Sequence, residues 1–108
     1  MLEDVSETMA KLIVDIRPSL IALPFHRAFT RPVIELDGSE TVTAWGATEL
    51  PVGTGPHRIS VYFRYRGQRA ARLGIGRTEI TVDGSTAVVR LTARLGPRNG
   101  SNFTITAG

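Results

Sequence analysis

The chain has 108 residues with eleven glycines, six prolines and no cysteine, a length that supports one hydrophobic core and a composition that excludes disulfides, thiolate metal sites and cysteine nucleophiles. Hydrophobic residues at 42% and charged residues at 21% are ordinary for a folded domain, which excludes wholesale disorder, collagen and coiled coil. The net charge of +3 hides an asymmetry, because residues 1–49 carry four basic against eight acidic side chains while residues 50–108 carry nine arginines against Glu79 and Asp83. Such a split marks either an anion-binding face or a sheet in which acids from the first half neutralise arginines from the second.

Residues 1–10 read as a flexible leader in which Glu3, Asp4 and Glu7 precede the first basic residue, Lys11, the reverse of a secretory signal; the expectation is a cytoplasmic protein. The longest apolar run, Leu20 to Phe25, is six residues and contains Pro24, against the roughly 20 apolar residues a membrane helix needs, so no span is expected. From Lys11 onward the pattern alternates with period two. Leu12, Val14 and Ile16 face one way and Asp15 and Arg17 the other, which predicts a strand over 11–17, and further strands are expected at 20–29, 32–37 and 40–45. Asp37-Gly38 between two of these is a preferred hairpin pair, since glycine accepts positive φ freely.

Leu50 to Pro56 is rich in proline and glycine and reads as a loop. It leads into the clearest strand, 57–66, where Ile59, Val61, Phe63 and Tyr65 share one face and Arg58, Ser60, Tyr62, Arg64 and Arg66 the other. Strands at 72–75, 78–82, 86–95 and 102–107 follow, with Asp83-Gly84 expected to close a second hairpin. Strands with one wet face indicate an all-β fold, a single small antiparallel β-sandwich, Ig-like or prealbumin-like, of about 7–9 short strands over 11–108.

The run Pro32-Val33-Ile34-Glu35-Leu36-Asp37-Gly38, then Trp45-Gly46, Leu50-Pro51-Val52-Gly53 and Pro56-His57-Arg58-Ile59-Ser60-Val61 resembles the PEGA-type domain. It is also similar to small actinobacterial β-sandwich domains that carry Trp-Gly after the first Asp-Gly hairpin. The likeness covers residues 32–63, with Thr54-Gly55-Pro56 standing where a shorter turn is usual. It implies an accessory β-sandwich without catalysis.

Chemistry is sparse in the pattern. His26 and His57 are the only histidines; His57 at a strand start suits a turn bond, and His26 is either a core or a surface residue. Glu35, Asp37, Glu40 and Glu49 supply enough carboxylates for a paired acid and base, but Asp37 is already explained by its turn. Gly53-x-Gly55 and Gly74-x-Gly76 lack the further residues of a phosphate-binding loop and read as turn or bulge glycines. Trp45 either plugs one end of the sandwich or stands exposed as a stacking ring.

The expectation is therefore a non-enzymatic structural or protein-interaction module with no catalytic residue, cofactor or metal. Its binding residues are Arg58, Tyr62, Arg64, Arg66 and Trp45, with Arg90 and Arg94 on another wet face. The expected partner is a protein, with binding of nucleic acid or another polyanion by the arginine-rich strand as the alternative, and an exposed edge strand offers a route to a homo-oligomer.

Overall fold

Segments with one apolar face have to close against each other, and here they do so as two four-stranded sheets. The computed structural model describes residues 9–19, 22–98 and 100–108, so the expected leader lies outside the described residues except for Met9 and Ala10. In chain order the elements are β1 (Ala10–Arg17), α1 (Leu23–Phe29), β2 (Thr30–Leu36), β3 (Ser39–Val42), β4 (Gly46–Val52), β5 (Gly55–Tyr65), β6 (Leu73–Val82), β7 (Val88–Leu95) and β8 (Phe103–Ala107). One sheet has the order β4-β1-β7-β8 and the other β3-β2-β5-β6. All neighbours are antiparallel except β1 and β7, which run parallel. The all-β sandwich expected from the alternation is the fold, and no helix of the described residues is long and apolar enough to cross a membrane.

The core is built from the inward parity of each strand: Leu12, Val14 and Ile16 of β1, Leu91, Ala93 and Leu95 of β7, Phe103 of β8, and Ile34, Ile59, Val61 and Val82 from the opposite sheet. Their burial is the main stabilising contribution. Asp37 and Gly38 both have positive φ, 51° and 89°, which is the type I′ geometry that joins Leu36 to Ser39 in a two-residue hairpin.

Four expectations are corrected. The strand predicted over 20–29 is in its described part the helix α1, because Pro24 presets the first turn and the two phenylalanines, four residues apart, meet on one helical face with ring centroids 5.3 Å apart. The loop predicted over Leu50 to Pro56 shrinks to Gly53 and Thr54, since Gly46–Val52 pairs with β1. β4 is an edge strand, and an edge is where Pro51 is tolerated. The strands predicted at 72–75 and 78–82 are one, β6. Asp83-Gly84 closes no hairpin: it carries the chain from β6 in one sheet to β7 in the other, with Asp83 accepting from the Ser85 amide and the Ser85 and Thr86 hydroxyls.

At Gly76, β6 packs directly against Phe103 of β8 in the other sheet. A Cβ there would lie 2.8 Å from the Cβ of Phe103, whereas one on Gly84 would meet nothing within 4 Å. Gly76→Ala is expected to destabilise the fold by about 1–3 kcal/mol through overpacking, and Gly84→Ala to change it negligibly. Denaturant midpoints of the two variants check this.

Candidate functional site

The arginine stripe expected on β5 is not an exposed surface. Arg58, Tyr62, Arg64 and Arg66 share strand parity, yet Tyr62 is fully buried and the Arg64 side chain is 7% exposed. The cause is the β5–β6 connection, which returns over the outer face of its own sheet. Arg64 donates from Nη1 to the Arg69 carbonyl at 2.7 Å, from Nε to the Ala71 carbonyl at 3.2 Å and from Nη2 to Glu40 at 3.0 Å. Arg72 reaches Glu35 at 3.2 Å. Its guanidinium lies 5.1 Å from the Tyr62 ring centroid, and that of Arg64 lies 5.7 Å from it.

Glu35 and Glu40 face each other in the β2–β3 register, so two carboxylates of the first half neutralise two arginines of the second. The Tyr62 hydroxyl donates to Glu40, and this bond, with Arg64 alongside, holds the Glu40 carboxyl below its ordinary range. Burial, then the Glu40 bond, pushes the Tyr62 hydroxyl up to about 12. A carboxylate kept ionised beside a phenol kept protonated is suited to structure and not to proton exchange.

Arg58 stands apart, 86% exposed and 3.8 Å from Glu79. Its amide donates to Asp37 at 2.8 Å, and Asp37 also accepts from Nδ1 of His57 at 2.6 Å. The other ring nitrogen, Nε2, donates to the Gly53 carbonyl at 2.7 Å. Both partners are acceptors, so both bonds form together only when the ring carries two N–H groups, and the Asp37 bond raises its pKa. The same bond lowers Asp37. With both ring nitrogens engaged, His57 is a clip between the β2–β3 turn and the β4–β5 loop.

A different surface gathers around α1. Arg66 belongs to it, its Nε donating to the Ala28 carbonyl at 2.9 Å and its amide to the Phe29 carbonyl. Trp45 is half-buried and packs between His26, Phe63 and Phe103, plugging this end, and its indole N–H donates to Thr30 at 3.2 Å. His26 is buried beneath it and is shifted down by that burial. Outside this plug Phe25 is 45%, Phe29 56% and Tyr65 41% exposed, so Tyr65 departs from the inward face predicted for it. The Phe25 ring meets those of Phe29 and Tyr65 at 5.3 and 6.0 Å. At the same end of the sandwich a depression of about 380 Å³ is lined by Arg27, Arg31, Arg66, Thr30 and Trp45. Among the described residues no carboxylate lies within 4 Å of those three arginines.

Of the expected binding residues the structure thus brings Arg66 and Trp45 together and leaves Arg58, Tyr62 and Arg64 elsewhere. Arg90 and Arg94 are exposed on the other sheet. Phe25, Arg27, Phe29 and Arg31 were missed because residues 20–29 were read as an ordinary strand, although Pro24 and the Phe25–Phe29 spacing carried the helical signal. Among the described residues no three His, Asp or Glu side chains gather to hold a metal. No protein family, curated protein or solved structure matches the chain.

Two outcomes follow from the buried network and the clip. Arg64→Leu removes the donor to two carbonyls and one of the donors to Glu40 and is expected to cost about 3 kcal/mol, whereas Arg58→Gln on the same strand face should change stability by under about 0.5 kcal/mol; chemical denaturation distinguishes them. The His57 clip is fully stabilising below the unfolded-state value of about 6.5, and its contribution is lost as pH rises through the raised folded-state value. Denaturant midpoints taken from pH about 6.5 upward should fall for the wild type and stay flatter for His57→Gln.

Proposed function

We propose that this chain is a non-enzymatic protein-interaction module that docks through the α1 end of the sandwich. The partner is a protein segment that sets carboxylates against Arg27, Arg31 and Arg66 and an apolar side chain against Phe25, Phe29 and Tyr65. The observation that carries this reading is a depression lined by three arginines that have no carboxylate beside them among the described residues, at the α1 end of the sandwich, where Phe25, Phe29 and Tyr65 are also exposed. Aromatic residues and arginine are the side chains enriched in protein interfaces and their hot spots, and unsatisfied guanidinium donors favour an acidic counterpart. Binding in place of catalysis is supported by His57, whose two ring nitrogens are both engaged, and by the neutralised Glu35 and Glu40. A cytoplasmic location accords with this reading, since nothing in the cysteine-free composition calls for an oxidising compartment.

Dye-labelled acidic peptides that interleave glutamate with leucine or phenylalanine serve as the probe. They should bind the wild type, and either Phe29→Ser or the combined change of Arg27, Arg31 and Arg66 to Gln should weaken them by about tenfold or more, with Arg58→Gln as a neutral control. Equal or tighter binding of a generic DNA duplex, falling steeply with salt, would shift the function to polyanion binding at the same arginines. Indifference of the peptides to both sets of changes removes the α1 surface from consideration.

A further inference from the structure

A second surface is the edge of β6 that faces away from β5. This strand runs from Leu73 to Val82, pairs only with β5, and ends its sheet. Which of its backbone groups point outward follows from β5. The Arg58 amide and carbonyl both go to Asp37 on the β2 side, so the backbone groups of Ile59 and His57 turn to β6, where they meet Thr78 and Ile80. The N–H and C=O groups of Arg77, Glu79 and Thr81 therefore face away from the sheet, unpaired by it. The side chains of Arg77 and Glu79 lie on the solvent face, both exposed.

We infer that β6 pairs antiparallel with β6 of a second copy of this chain, with Thr78 on the two-fold axis. The charge order selects that register. Centring on Arg77 or on Glu79 sets like charges directly opposite each other, whereas centring on Thr78 sets Arg77 opposite Glu79 of the other copy, twice by symmetry. In the same register the outward-facing backbones of Arg77 and Glu79 meet as hydrogen-bonded pairs, and Ile75 falls opposite Thr81, so the strand is matched along most of its length. Charges on an edge strand commonly keep other chains away. Here they have opposite sign and stand at equal distance from Thr78, so a copy of the same strand meets attraction at both. Intramolecular competition is weak: Glu79 sees Arg58 only at 3.8 Å between side chains 78% and 86% exposed, and Arg77 has no carboxylate within 4 Å among the described residues. This edge shares no residue with the α1 surface, and the inference stands independently of it.

The test is the mass of the intact chain in solution, by sedimentation equilibrium over a wide concentration range. The wild type is expected to rise from 11.7 kDa to twice that mass with concentration. Arg77→Glu and Glu79→Arg should each hold it at the monomer mass, and the combined swap, which restores opposite charges across the axis, should recover the dimer. Hydrogen exchange at the Arg77 and Glu79 amides, fast in the monomer, should slow only in the dimer. A wild type that stays monomeric throughout overturns the inference. So does a dimer that persists in both single variants, or a swap that keeps the wild-type melting curve yet stays monomeric.

Discussion

A guanidinium does not give up its proton at ordinary pH, so burying Arg64 obliges the fold to surround it with acceptors. One is Glu40, which has to arrive on β3; the others are the carbonyls of Arg69 and Ala71, which have to arrive on the β5–β6 connection. That requirement bends the connection back over the sheet and brings Arg72 onto the Tyr62 ring. The result is a second buried layer outside the hydrophobic core, with Val33 and Tyr62 enclosed on the face that alternation assigns to solvent. β5 is thereby buried on both faces along its middle, and β2 and β6 take their registers from it.

At the other end of β5 an acid again organises the chain, with the roles reversed. Asp37 adopts positive φ to make the hairpin turn, and its carboxylate then holds the Arg58 amide and the His57 ring. Since the far nitrogen of that ring holds Gly53, the turn of one sheet is tied to the loop that brings the chain over from the other. Two anchors, Arg64 and His57, thus restrain β5 at separate points through charge-assisted hydrogen bonds, which are stronger than neutral ones and more directional than apolar contact. Both engage the ionisable groups they use in bonds that hold the chain together.

The fold was legible wherever alternation was undisturbed. Leu12, Val14 and Ile16, like Leu91, Ala93 and Leu95, point inward as their parity requires, and Asp37-Gly38 closes the turn its chemistry favours. Legibility failed where a long-range partner overrides local preference. Pro51 sits in a strand because β4 is an edge, and edges are a property of topology. Parity placed Tyr62 and Arg64 correctly on the outer face, but their burial depends on a loop that begins after the strand has ended. Asp83 bonds its own turn so fully that the same Asp-Gly pair serves a crossover as readily as a hairpin. The α1 surface was hidden for a local reason: in a short apolar segment, a helix with Pro24 in its first turn and a strand of alternating residues look alike until the i to i+4 spacing of Phe25 and Phe29 is given weight.

The charge asymmetry between the halves now has a physical account. Every described acid is engaged: Asp15 with Arg17, Glu49 with Lys11, Glu35 and Glu40 with Arg72 and Arg64, Asp37 with His57, Glu79 with Arg58, and Asp83 with its own turn. The described acids of the first half are therefore spent inside the molecule, Glu40 and Glu35 against Arg64 and Arg72 of the second half and the others against Arg17, Lys11 and His57. The positive excess falls on arginines outside those pairs, and of these Arg27, Arg31 and Arg66 meet in one depression at the end of the sandwich where Phe25, Phe29 and Tyr65 are exposed. An incoming carboxylate at that place breaks no internal ion pair, whereas at Arg64 it would have to displace Glu40 from a buried site and lift the loop that covers it. Binding energy is most available where the fold has not already used the charge in a buried pair.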